Sequence, residues 1–255
     1  LDALTDRVSL RFDVPSRCAD LLAGGHIDLG MVPSIAYLDR PGDCIVPGVC
    51  IGSEGPVSSV ALFSRVPVRD IRRLALDTSS RTSAALTRIL CSRRFGISPS
   101  FLPGPPDLAA MLAEADAGLL IGDPALFLDP ADYGVSKTDL GDQWTQMTGL
   151  PFVWAFWAGR PGAADAETVR LLQQTAEEGM RRSDAIADAY CAGAPERRML
   201  ARRYLREHLM FRLDDRAVAG LETYYREASA LGLATAPAAL RFFPGDAART
   251  SRPPQ

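Results

Sequence analysis

The sequence predicts an α/β protein of two lobes with a helical C-terminal region. Three observations carry that prediction. The pattern Asp-x-x-Ser-Arg followed by an apolar helix occurs twice, at Asp13–Leu22 and Asp77–Leu86, each time after a short strand-like run, Val8–Phe12 and Leu74–Leu76. A second matched pair, Asp28–Ser34 and Asp116–Gly122, reads in both copies as a buried apolar strand and a small-residue turn into another helix. Strand-like runs at Ser58–Ser64 and Phe152–Ala158 then bracket a middle region of alternating strands and helices. Internal duplication and plain recurrence of strand–helix units explain the repeats equally well, and both require α/β layers.

The elements follow in order. A strand is expected over 8–14 and a helix from Ser16, whose hydroxyl is of the type that caps free N–H groups. Ile27–Val32 reads as a strand, and a short helix surrounds Ile35–Leu38. The Gly55-Pro56 turn leads into the strand Ser58–Ser64, and residues 68–127 repeat the alternation, with Leu119–Ile121 as a buried strand. Phe152–Ala158 is too short to span a membrane and has the aromatic, β-branched content of a buried strand. After Arg160 the character changes. Ala163–Tyr190, Pro195–Leu209 and Asp214–Leu231 have helical spacing, Met210–Leu213 is the one strand-like piece among them, and Ala234–Gln255 is expected to be poorly ordered at its end. Arg197, Arg198, Arg202, Arg203 and Arg206 alternate with apolar residues and read as a solvated helix face.

One lobe is therefore expected from residues 1–58 and 153–255, and the other from 59–152. Two α/β lobes joined by two crossings form the type II periplasmic-binding-protein-like fold, where a ligand sits between the lobes at helix N-termini.

Composition narrows the function classes. A chain of 255 residues with 47% hydrophobic content can bury a full core, and a formal net charge of -3 without a basic block makes nucleic acid a poor partner. Lys137 is the only lysine among 28 basic residues, a bias of composition. Five cysteines without a C-x-x-C motif and only two histidines assemble no metal-ligand pattern, and they read as reduced thiols of a cytoplasmic protein. No membrane-length apolar run and no signal peptide are visible, so a membrane is not an expected partner.

Candidate chemistry sits on turns. Ser80-Arg81-Thr82-Ser83 puts three hydroxyls, a guanidinium and helix-start N–H groups together, either as a carboxylate cradle or as an ordinary cap. Ser58 and Ser59 stand where the chain enters a strand. By residue pattern alone they are a polar strand start, with at most one facing a cleft. Asp123 follows a buried strand at its carboxyl end, where it caps the next helix, receives a substrate hydroxyl or serves as an acid/base, capping being the first expectation. Ser34 and Thr148 occupy turns expected to face the cleft. Neither His26 nor His208 has an evident nucleophile or carboxylate partner.

Four segments in order, Ile51–Val60, Asp77–Ser83, Leu120–Leu126 and Asp139–Val153 with its Thr148-Gly149-Leu150-Pro151-Phe152 element, resemble the chorismate dehydratase family of the futalosine route to menaquinone. The resemblance runs from about Phe12 to Ala158 and more weakly through the helical tail. It implies the two-lobed fold, no metal or organic cofactor, and conversion of chorismate, a small dicarboxylate, to 3-[(1-carboxyvinyl)oxy]benzoate and water. It gives Ser59 the role of the hinge serine of the active site, and Ser80, Arg81, Thr82 and Ser83 that of the carboxylate-binding turn. Ser34, Asp123 and Thr148 are additions from their expected place on the cleft. The family pattern also has an upstream strand ending in Asn-x-x-Pro with an active-site Asn, and this chain starts after that point. The alternatives are the naphthoate-forming step of the same route, which calls for a cleft histidine, and a solute-binding or sensing protein for a small aromatic or enol carboxylate.

Overall fold

The computed structural model describes residues 8–77, 79–235 and 239–245. Helix α1 (Pro15–Ala23) starts at a proline, whose fixed φ suits a first helical position and whose missing N–H needs no partner there. The helix thus begins one residue ahead of Ser16, and Val14 rather than a hydroxyl occupies the cap position. The strand expected over 8–14 does not form, and the segment joins no sheet of the described residues. Its polar residues pair with each other at the surface (Arg11 to Asp13, 3.1 Å), and Phe12 and Val14 stay exposed, while Val8 packs against the cluster around Cys44 and Phe243.

Strand β1 (Leu29–Pro33) leads into a 3₁₀ turn, Ser34–Asp39, and then β2 (Cys44–Ser53). No strand was expected at β2; it contains a bulge at Pro47-Gly48, with a register break between Ile45 and Cys50 and Gly48 at φ 78°. Next come β3 (Val60–Ser64), β4 (Arg73–Asp77), α2 (Arg81–Leu90), β5 (Ser100–Gly104), α3 (Leu108–Glu114), β6 (Ala117–Ile121), α4 (Gly122–Phe127), β7 (Ser136–Asp139), α5 (Leu140–Thr148) and β8 (Phe152–Gly159). The C-terminal region holds α6 (Ala166–Arg181), α7 (Ser183–Tyr190), α8 (Arg198–Arg203), a π-turn at Tyr204–His208, and α9 (Asp215–Ala230). Met210, in the piece expected as a strand, makes only a single bridge to Gly52. The arginines of this region only partly form the solvated face expected of them: Arg202 pairs with Asp188, Arg206 with Asp184 and Arg203 with Glu207 at the surface, but Arg198 is half-buried, Arg197 lies over the Phe127 ring, and Met199 is exposed.

The strands build two sheets. One has the order β1-β8-β2, all antiparallel, and the other β5-β4-β6-β3-β7, with β4 parallel to β5 and β6. The chain leaves the first sheet after Ser53 and returns to it at Phe152, so each sheet with its helices is one lobe of a two-lobed, binding-protein-like fold. Asp28–Ser34 and Asp116–Gly122 are present as strand–turn units and Asp77–Leu86 as a strand–turn–helix unit, but Asp13–Leu22 has no strand before its helix, and the two helix starts differ: Ser80 caps α2 by accepting from the Ser83 N–H, whereas α1 has no side-chain cap.

Behind the crossovers the lobes share one core. Trp144, Phe152, Tyr224 and Tyr225 are fully buried, with Phe152 and Tyr224 ring centroids 4.9 Å apart. The two tyrosines of α9 donate to opposite lobes, Tyr224 to the Thr82 carbonyl (3.0 Å) and Tyr225 to the Ser34 carbonyl (2.6 Å). Gly220 lets α9 lie directly on the second crossover, since a Cβ there would come within 2.1 Å of the Pro151 carbonyl oxygen. Of the tail expected to be poorly ordered, 236–238 and 246–255 lie outside the described residues; within 239–245, Phe243 is buried and Phe242 bridges to Ile45. No helix of the described residues is long and apolar enough to cross a membrane.

Candidate active site

A cavity of about 230 Å³ is lined by both lobes. One side is Pro33, Ile51, Trp154 and Ala155; the other is Ser59, Val60, Ile121, Gly122 and the start of α2 (Ser79, Ser80, Thr82, Ser83); Tyr204 and Leu209 close it from the helical region. The space suits a substituted single ring, since about 150 Å³ already holds benzene. Its walls are apolar apart from hydroxyls. Trp154, fixed by donating from Nε1 to Ser53 Oγ (3.1 Å), provides an aromatic surface.

The α2 start is the one strongly polar end of this cavity. A helix leaves N–H groups unsatisfied in its first turn and carries a partial positive charge there. Ser80 Oγ accepts from Ser83 N (3.2 Å) and donates to Ser83 Oγ (2.8 Å), while Asp77, buried at the end of β4, accepts from the N–H and hydroxyl of Ser79. The turn is therefore held rigid from both sides while its hydroxyls line the cavity.

Ser59 is placed by an unusual piece of backbone. Ser58 has φ 64°, the only non-glycine positive φ among the described residues, so neither serine belongs to the strand, which starts at Val60. The Ser59 N–H donates to the Val57 carbonyl (2.8 Å), closing a γ-turn of the strained, positive-φ kind around Ser58. Such a conformation costs about 1–3 kcal/mol and persists only where neighbours over-determine it. Asp139, at the end of β7, supplies much of that restraint. Its carboxylate accepts from Val57 N (3.0 Å), Ser58 N (2.5 Å) and, as the cap of α5, from Asp142 N (3.0 Å). The Gly122 N–H holds the Ser59 carbonyl (2.8 Å). The result aims Ser59 Oγ at Tyr204 Oη, 2.9 Å away. Burial pushes the Tyr204 phenol above its ordinary range, so it stays protonated at neutral pH.

The structure brings Ser59, Ser80, Thr82 and Ser83 onto the same cavity. It does not bring the other expected residues there. Arg81 leaves α2 on the side that faces α1 and pairs with Asp20 near the end of that helix (2.7 Å), beside a separate cavity of about 220 Å³. Ser34 is buried behind the wall, its Oγ 3.5 Å from Thr82 Oγ1. Asp123 accepts from the Tyr190 hydroxyl (2.7 Å) at the surface and does not cap α4. Thr148 folds onto its own helix end, donating to the Trp144 carbonyl (2.9 Å) and accepting from Leu150 N (3.1 Å). Sequence reasoning missed Tyr204, Asp139 and Trp154. It also left His208 without a place, yet its ring meets that of Tyr204 edge-on at 6.5 Å, its Nδ1 is buried without a hydrogen-bond partner among the described residues, and burial lowers its pKa.

Two α/β lobes, crossed twice by the chain and meeting over a cavity at a helix start, are the architecture of the periplasmic-binding-protein-like class. Solved structures share it: the alkanesulfonate-binding protein SsuA of Xanthomonas axonopodis pv. citri has a TM-score of 0.61 at 18% identity, covering 89% of this chain and 83% of that one. Archaeoglobus fulgidus protein AF1704 has a TM-score of 0.60 at 21% identity, covering 88% and 86%. Within that class, a family model described as menaquinone biosynthesis matches residues 1–230. The chorismate dehydratase of Thermus thermophilus is 31% identical over 241 residues, covering 88% of this chain and 87% of that protein. The chain belongs to this menaquinone biosynthesis family.

Proposed function

We infer that the protein is a chorismate dehydratase, a hydro-lyase that takes water from chorismate to give 3-[(1-carboxyvinyl)oxy]benzoate. The observation that carries this reading at the site is the convergence of Ser59 Oγ and the Ser80–Ser83 turn on one cavity, in a chain with a chorismate dehydratase relative.

The chemistry is redox-neutral: a proton leaves C3, hydroxide leaves C4, and the ring becomes aromatic. The C3 proton is vinylogous to the ring carboxylate, so charge flows onto that carboxylate as the C–H bond breaks. We assign the α2 start, with Ser80, Thr82 and Ser83, to that carboxylate. N–H and hydroxyl donors already in place there stabilise the growing charge without reorganising. Ser59, oriented by Tyr204, is the catalytic hydroxyl at the reacting edge, and Trp154 supports the ring. None of the described residues lining the cavity carries a carboxylate, an imidazole or an amine, so in this reading the substrate's own side-chain carboxylate accepts the C3 proton. The free thiols Cys18, Cys44, Cys50, Cys91 and Cys191 support a cytoplasmic location.

The test is incubation with chorismate, with the product followed by chromatography and mass spectrometry. A species lighter by one water, formed well above the spontaneous rate, is the expected result. Binding without conversion transfers the protein to a solute-binding or sensing role.

A further inference from the structure

We propose that Lys137 is a positioning residue for Ser59, holding the strained Ser58 turn in the conformation that aims the Ser59 hydroxyl into the cavity. This rests on the reading of Ser59 as the catalytic hydroxyl. Lys137 lies on β7, two residues before Asp139, and its Nζ donates to the Ser58 carbonyl (2.8 Å) and to the Ala125 carbonyl (2.6 Å), 5.5 Å above the Phe63 ring centre. One ammonium therefore ties the hinge turn to α4, the helix that begins at the cavity-lining Gly122.

The backbone accounting shows what that contact adds. Asp139 takes the N–H groups of Val57 and Ser58; the Ser59 N–H goes to the Val57 carbonyl, and the Ser59 carbonyl to Gly122 N. The Ser58 carbonyl is the remaining backbone polar group of the turn, and Lys137 is what holds it. With that bond Ser58 is gripped on both sides, by a carboxylate at its N–H and a cation at its carbonyl, and rotation out of φ 64° must break one of them. Without it, the peptide that carries Ser59 is held only through the Ser59 N–H.

The residue type fits the task. In a chain whose other 27 basic residues are arginine, this position alone is lysine. Two carbonyls and an aromatic face around one point suit a compact ammonium with three rotatable donors, whereas a guanidinium offers a planar fork. Burial lowers the pKa of this half-buried cation, and the Asp139 charge on the same strand opposes that shift and favours the protonated form. A hydroxyl displaced by about an ångström from its productive geometry costs on the order of a hundredfold in rate.

The experiment compares wild type, Lys137→Met, Ser58→Gly and the double variant, with kcat and KM for chorismate and amide hydrogen exchange of the peptide spanning 54–60. Glycine adopts φ 64° without strain, so in that background the lysine no longer has a strained conformation to hold. The expected result is a kcat 10- to 100-fold lower for Lys137→Met, KM within threefold, and faster exchange at Ser58 and Ser59. Against the Ser58→Gly parent, the same Lys137 substitution then costs less than threefold. Wild-type kcat in Lys137→Met overturns the proposal. So does a loss of equal size in both backgrounds, which is what a merely structural lysine produces. If Lys137→Met does not fold, Lys137→Gln, which keeps one donor group, is read in the same way. If wild type fails to convert chorismate, the dehydratase reading falls. Exchange then decides the positioning role separately, and unchanged exchange in the lysine variant rejects it.

Discussion

Removing the Ser59 hydroxyl should separate rate from stability, and Tyr204 provides the internal control. Ser59 is buried, and the side-chain partner of its Oγ is Tyr204 Oη at 2.9 Å. In Ser59→Ala the fold loses one hydrogen bond of net worth about 1 kcal/mol, and the partly exposed phenol can turn to water. For a chain of this size that is a shift of about 2–4 °C in Tm. The rate loss should be far larger, because a donor aimed at developing charge is worth about 100- to 1,000-fold, or about 2.7–4 kcal/mol. Tyr204→Phe removes only the group that orients Ser59, again about 1 kcal/mol, which as a barrier change is roughly fivefold in kcat. If Tyr204 acts through Ser59, the two losses do not add: in a Ser59→Ala background, Tyr204→Phe costs less than twofold. The assay is initial-rate product formation by chromatography for the four proteins, with Tm measured on each. Two results refute the reasoning. Near-wild-type kcat in a folded Ser59→Ala variant removes the serine from the mechanism, and fully additive losses give Tyr204 a separate contact with substrate.

Further expectations come from neighbouring features. Because Arg81 is committed to Asp20 outside the cavity, Arg81→Ala should change KM for chorismate less than twofold; a rise above tenfold would mean that the guanidinium swings in when substrate binds. Burial pushes the Cys91 thiol up to about 12 and Cys50 higher still, so mass-spectrometric mapping after iodoacetamide at pH 8 should find Cys18, the least buried thiol, modified before either. The neutral Cys91 thiol also contributes stability that is complete below its ordinary value of 9.0 and is lost as pH rises toward 12, which urea titrations at alkaline pH should detect as a falling midpoint that Cys91→Ala flattens. His208 is held neutral by burial first and by Arg203 next, with Lys137 opposing and Asp139 and Glu207 favouring its charge. Its depressed pKa gives stability present above its ordinary value of 6.5 and lost as pH falls, so His208→Gln should lessen the decline in urea midpoint between pH 7 and 5.

Much of the frame was legible because it rests on local pattern. The apolar run at Phe152 reads as a buried strand and is the centre of the first sheet; the helical spacing after Arg160 becomes α6 to α9; and Ser80 caps α2 as a hydroxyl at that spacing should. What escaped was set by tertiary contacts. Pro47-Gly48 punctuates a strand as a bulge only because β8 continues alongside it. Val8–Phe12 has strand chemistry, but a strand needs a neighbour as well as a propensity. Arg81 was expected at the anion because the motif contains it. Successive helical residues point about 100° apart, however, so the guanidinium leaves on a different face from the hydroxyls beside it and finds Asp20 there. Tyr204 lies 145 residues from Ser59 in a stretch whose spacing suggests only packing, and no local signal connects the two.

The tyrosine pair of α9 also bears on the order in which the enzyme becomes functional. Tyr224 reaches back 142 residues to Thr82, and Tyr225 reaches back 191 to Ser34. A ribosome adding about 5–20 residues per second leaves an interval on the order of several seconds or more during which both lobes have been largely synthesised and the segment that fastens them has not. Through that interval the apolar back of the cleft has no cover, and a nascent chain that stalls or ends before α9 carries every expected cavity residue without the joint that holds the two halves in register. The joint between the lobes is thus made by a helix translated long after the residues it holds.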